Sequence, residues 1–137
     1  MCHLTIQQLG FEELAQAWPL ARTASHYQSC EMWRRSAVHL MGRGGGVIAI
    51  AADDGCFHGM ATFEPITKPR GGRVLHVETM VTFELSHRAP VRRALRDTLV
   101  GFARLFDCDA VNVAMPDRGF LKGPIKQAEA AANTALD

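Results

Sequence analysis

The segment from Val47 to Met115 constrains the fold more than any other part of the chain. Val47 to Ala52 is an apolar, β-rich run, Asp53-Asp54-Gly55 follows it, and Cys56 to Phe63 is again strand-like. An Asp-Gly pair between two such runs is a strong hairpin signal. Pro65 and Pro69-Arg70-Gly71-Gly72 punctuate the next connection, and Arg73 to Phe83, rich in Val, Thr and Met, reads as a long strand. Val91, Leu95, Leu99, Phe102 and Phe106 then recur at intervals of four, four, three and four, which makes one continuous stripe on a helix. Pro90 stands just before that stripe, where its missing N–H costs little. Ala110 to Met115 reads as a buried strand closed by Pro116. A hairpin, a long strand, an amphipathic helix and a further strand predict an α+β fold with a mixed sheet.

The flanking segments are less decisive. His3 to Leu9 alternates as a short strand, stopped by Gly10. Phe11, Leu14 and Trp18 have helical spacing, and Pro19 predicts a break or kink there. Ser25 and Gln28 read as a capping box for a helix carrying Cys30, Trp33, Ala37 and Leu40 on one stripe, ended by Gly42. Gly42 to Gly46 is a flexible turn, and its Gly44-Gly45-Gly46 run lacks the Gly-Lys-Ser/Thr of a nucleotide-binding loop. Pro124 to Asp137 is alanine-rich and predicts a last helix with a thin apolar face, and no strand-like segment follows Pro116.

Composition narrows the setting. A chain of 137 residues with 47% hydrophobic and 21% charged residues suits one domain with one core, spanning residues 1–137. The formal net charge of +1 gives no global reason to expect nucleic acid or an anionic membrane as partner. Cys2, Cys30, Cys56 and Cys108 form no close pair, so they read as small apolar residues in a reduced compartment. No apolar run approaches the ~20 residues needed to span a bilayer, and Met1 to Gly10 lacks a signal core. The cytoplasm is the expectation.

The stretches GVIAIAADDGCFHGMATFEP, RVLHVETMVTFEL and SHRAPVRRALRDTLVGFARLFDCDAVNVAMP resemble the central part of a GNAT-superfamily N-acetyltransferase domain, over roughly half the chain. The resemblance implies a GNAT-like sheet, mostly antiparallel, with flanking helices, C-terminally truncated here. It also implies that two strands splay apart and that acetyl-CoA lies between them as co-substrate. The backbone of Val81, Thr82 and Phe83 would then meet the pantetheine arm. The start of the following helix would meet the diphosphate, with Arg88, Arg92 and Arg93 beside it, since a helix start favours phosphate. The implied acceptor is a small-molecule or protein amine, and an uncovered sheet edge leads us to expect a homodimer.

Against the family loop Arg/Gln-x-x-Gly-x-Gly/Ala, His87 takes the first position, Pro90 replaces the first glycine and Arg92 the last. Pro90 has no N–H to offer, and Arg92 is bulky where close approach is expected. Arg88, Arg92 and Arg96 would form one basic face if the helix began early enough, whereas Asp97, four residues after Arg93, offers an ordinary surface ion pair. His76 and Glu78, two apart on the long strand, share a face and are the candidate proton acceptors. The tyrosine many relatives carry after the strand behind the cofactor helix is missing, and the single tyrosine, Tyr27, reads as a packing residue. His76-Val77-Glu78 has the His-x-Glu of zinc deaminases without their Pro-Cys-x-x-Cys, and a His58, His76 and Glu78 metal site needs adjacent strands. Two functions follow: an acyl-CoA-dependent N-acetyltransferase, or a non-catalytic GNAT-like binding or regulatory module.

Overall fold

The computed structural model describes residues 3–24, 27–84 and 87–114. Its sheet holds β1 (Thr5–Gln8), β2 (Gly46–Ala51), β3 (Phe57–Thr67), β4 (Arg73–Thr82) and β5 (Ala110–Val113) in that spatial order. The first three pairings are antiparallel and β4–β5 is parallel, so the sheet is mixed, as expected. The β2–β3 turn uses the chemistry its sequence offers. Gly55 takes a positive φ of 79°, and the Asp54 carboxylate accepts the Cys56 N–H at 2.9 Å.

Pro65 lies inside β3 rather than ending it. It stands opposite Leu75, beyond the last β2 pairing at Gly46–Phe63. The Arg73 and Val77 carbonyls accept from Asp109 and Ala114 at the two ends of β5, so by alternation the Leu75 peptide groups face β5 and the Pro65 nitrogen points toward the side that β2 has already left. A missing N–H costs little at such an edge.

The sheet separates two helical layers. On one face lie a 3₁₀ segment (Phe11–Ala17), α1 (Trp18–Ala21), a second 3₁₀ turn (Arg22–Ala24) and α2 (Cys30–Gly42). Their buried residues, among them Leu14, Leu20, Trp33 and Ala37, pack on Val47, Ala49, Met60 and Val81. Pro19 falls in the first turn of α1, where the 3₁₀ segment has already given way, so the predicted break occurs just ahead of it. The capping expectation is corrected in part: α2 begins at Cys30, and Ser29 accepts the Met32 N–H at 3.1 Å. Ser25 lies outside the described residues. Trp33 donates its indole N–H to the Leu14 carbonyl at 2.7 Å, tying α2 to the segment before it.

On the other face lies α3 (Pro90–Leu105), whose Val91, Leu95 and Leu99 are buried as the stripe predicts, while farther along Ala103 is buried and the stripe's Phe102 and Phe106 are partly buried. They meet Ile48, Ile50, Ala61, Leu75, Val77 and Met80 from the sheet. Each fully buried leucine contributes about 1.5–3 kcal/mol. Phe63 stacks on Phe102 with centroids 4.8 Å apart, anchoring the far half of α3. Cys30, Cys56 and Cys108 are free thiols, and burial pushes the Cys108 thiol up, as befits a packing residue. No described helix is long and apolar enough to cross a membrane. The expected helix from Pro124 to Asp137, and the chain after Ala114 generally, lie outside the described residues.

The first turn of α3 is fixed by a close approach. A Cβ on Gly59 would come within 2.5 Å of Val91 Cγ1 and 3.2 Å of Leu95 Cδ1. Gly59→Ala should therefore destabilise the fold by about 1–3 kcal/mol, read from the midpoint of chemical unfolding. An unchanged midpoint would show that α3 does not sit this close to β3.

Candidate functional site

β4 is shared unequally between its neighbours. It pairs with β3 along its length, from Thr67–Arg73 to Gly59–Thr82. Its pairing with β5 runs only from Val74–Ala110 to Val77–Val113, with one further bond from Ala114 N–H to the Val77 carbonyl at 2.9 Å. From Glu78 to Thr82, among the described residues, β4 has no strand partner on the β5 side. The described pairing with β5 reaches no further than Val77, which leaves a gap beside the end of β4 among the described residues.

A bulge just beyond Val77 sets which groups face the gap. Thr79 is opposite Thr62 and Val77 is opposite Phe63, so Glu78 is an extra residue in β4. Phe83 N–H donates to the His58 carbonyl at 2.7 Å. The alternation of an antiparallel ladder therefore turns the peptide groups of Val81 and Phe83 toward β3, and those of Met80 and Thr82 toward the gap. Of the stretch Val81, Thr82 and Phe83 expected to meet a pantetheine arm, Thr82 is the residue whose own peptide groups face that way.

Glu78 is exposed, and His76 is partly buried on the face opposite Leu75 and Val77. The two share the α2 side, yet no hydrogen bond joins them. His76 stands across from Glu64, whose carboxylate pairs with Arg43 at 2.7 Å. Beside Glu78 lies Tyr27, buried, edge-on to Trp33 with centroids 5.1 Å apart, its hydroxyl 2.9 Å from Thr79 Oγ1. Thr79 N–H in turn donates to Thr62 Oγ1 at 3.1 Å. Sequence spacing had no way to bring Tyr27 here, since the contact spans 52 residues.

The helix start is already engaged. The Glu84 carboxylate accepts the Val91 N–H at 3.1 Å and the Arg92 N–H at 2.8 Å, one with each oxygen. Because α3 begins at Pro90, Arg88 precedes the helix, and the expected basic face of Arg88, Arg92 and Arg96 does not form as one helical stripe. Asp97 pairs with Arg96 at 3.5 Å rather than with Arg93. An open apolar groove of about 250 Å³ adjoins the end of β4, lined by Pro19, Leu20, Cys56, Phe57 and Phe83 among others.

His58 bonds Asp54 at 3.1 Å and stands across from Phe83, at the opposite end of the β3–β4 ladder from His76. No group of three His, Cys, Asp or Glu side chains among the described residues is arranged to hold a metal.

Burial pushes the Tyr27 hydroxyl above its ordinary 10.0, outweighing the Thr79 hydrogen bond, and the Glu78 charge adds to the rise. A phenol that ionises later in the folded state contributes stability below the unfolded value, lost as pH climbs through the folded one. As the single tyrosine, Tyr27 should give one phenolate absorbance transition with a midpoint above 10.0, followed by weakened stability that a Tyr27→Phe variant lacks. A midpoint at or below the ordinary value would place the hydroxyl in solvent.

No protein-family model matches the sequence, and no curated protein is significantly similar to it. Solved structures are similar to it in architecture. An acetyltransferase of Trypanosoma brucei aligns with a TM-score of 0.65 at 20% identity, over 85% of this chain and 86% of its own. The aminoglycoside N-acetyltransferase AAC(6')-Iy in complex with CoA aligns at 0.73 and 13% identity, over 99% and 88%. Glucosamine-6-phosphate N-acetyltransferase from Arabidopsis thaliana aligns at 0.67 and 13% identity, over 92% and 90%. With its mixed sheet and its helices on both faces, the chain has the fold of the GNAT N-acetyltransferases.

Proposed function

We propose that the chain is an acyl-CoA-dependent N-acetyltransferase that transfers an acetyl group to an amine of a small molecule or protein. The observation that carries this reading is the turning of the Met80 and Thr82 peptide groups away from β3, on a side of β4 where no strand among the described residues pairs them. Such a row of peptide groups suits the amide-rich arm of an acyl-CoA. The neighbour solved with CoA supports the same class of donor.

Acetyl transfer requires removal of a proton from the amine and hydrogen-bond donors at the thioester oxygen. Glu78, exposed at the bulge, is the proton acceptor in this reading, and His76 on the same face is its alternate. The Met80 and Thr82 peptide groups hold the arm. Tyr27 is a positioning residue that braces Thr79 beneath the bulge. Acetyl-CoA supplies the activated acyl group, and Arg88, Arg92 and Arg93 lie near the end where its phosphates would be held.

A second reading is favoured by a specific observation. The two amides best placed for a phosphate already bind Glu84, as a non-catalytic module of this fold would allow. The readings separate in one experiment. Acetyl-CoA and desulfo-CoA should both raise the unfolding temperature if the gap takes the donor, since a ligand of the native state stabilises it. In the same preparation Glu78→Gln should lower kcat by about 10²-fold while leaving that thermal shift intact. No shift at millimolar donor, with the protein folded, selects the binding module.

A further inference from the structure

We infer that Glu84 is an internal stand-in for the donor's diphosphate, so that the chain closes its own cleft until that carboxylate is displaced. This rests on the acetyltransferase reading above and adds a built-in competitor to it. The start of α3 has few donors to give. Pro90 has no N–H, Val91 and Arg92 donate to Glu84, and Arg93 N–H already bonds the Ala89 carbonyl at 3.1 Å. The anion-binding capacity of this helix start is therefore filled from within. A second anion placed there meets both occupied amides and the Glu84 charge.

Two features tie this carboxylate to a seat rather than to a simple cap. Ala89 is held in the left-handed region at φ 50° and ψ 54°, a conformation that L-residues rarely adopt. Strain of that kind persists only where its surroundings hold it. Beneath the same turn, the Thr82 hydroxyl is buried and has no partner among the described residues. Thr82 lies opposite Gly59, which the first turn of α3 covers. An unused, buried O–H donor on the face that α3 covers is a polar group that Glu84 leaves unsatisfied.

The test compares the wild-type chain with Glu84→Gln, a change that keeps the side chain's size and an acceptor oxygen. Titration calorimetry with acetyl-CoA, and separately with inorganic diphosphate, should show the variant binding each at least about tenfold more tightly. An affinity reduced by a small binding-competent fraction recovers when that fraction rises. In the wild type, saturating acetyl-CoA should shift the Val91 and Arg92 amide resonances as Glu84 leaves them, a readout that does not depend on the variant folding. If the wild type binds but the variant binds no better, or if bound acetyl-CoA leaves both resonances unmoved, Glu84 is a cap alone and the transferase reading stands without it. If neither protein binds acetyl-CoA, both ideas fall together.

Discussion

The structure turns on the unequal sharing of β4. A strand inside a sheet normally satisfies both rows of its peptide groups, because an unpaired buried N–H or C=O is expensive. Here β3 follows β4 to its end, whereas among the described residues β5 pairs with it only as far as Val77. The extra residue Glu78 just beyond that point shifts the alternation by one. Were the same residues to run through in plain alternation, Val81 would face the gap, and Met80 and Thr82 would face β3. The bulge therefore chooses which peptide groups the gap presents and puts a carboxylate at its inner end.

Everything else holds that gap in place. The Tyr27 hydroxyl and the Thr62 side chain fix Thr79 from the α2 side. From the opposite side, α3 is clamped at its start by Gly59 and along its far half by the Phe63–Phe102 stack. The helix start thus stands at the end of β4 with its dipole directed there, and the chain supplies its own anion through Glu84. In the proposed reading, a fold suited to an acyl donor and a carboxylate that occupies the donor's phosphate seat coexist in one molecule.

Much of this was legible in the residues. The stripe from Val91 to Phe106, the Asp-Gly turn and the Val/Thr-rich run before it gave α3, the β2–β3 hairpin and β4, because burial periodicity and turn chemistry are local signals. Pro65 misled, because the cost of its missing N–H depends on whether β2 extends alongside it. Ser29 instead of Ser25 at the cap was equally hidden, since both are serines and the choice follows where Trp33 must lie to reach Leu14. The bulge left no trace in composition, and the Glu84 contact reaches seven and eight residues ahead across a turn. The candidate site was therefore legible as a list of residue types on β4 and α3, while its geometry came from tertiary pairing.

Native-state hydrogen exchange, resolved residue by residue, tests most directly whether that side of β4 is open, because protection reports whether an amide is bonded. In the free protein the amides of Val81 and Phe83, bonded to β3, should exchange slowly, and those of Met80 and Thr82 many times faster. Equal protection at all four positions would mean that β4 is paired on both sides to its end, leaving no room for an acyl carrier.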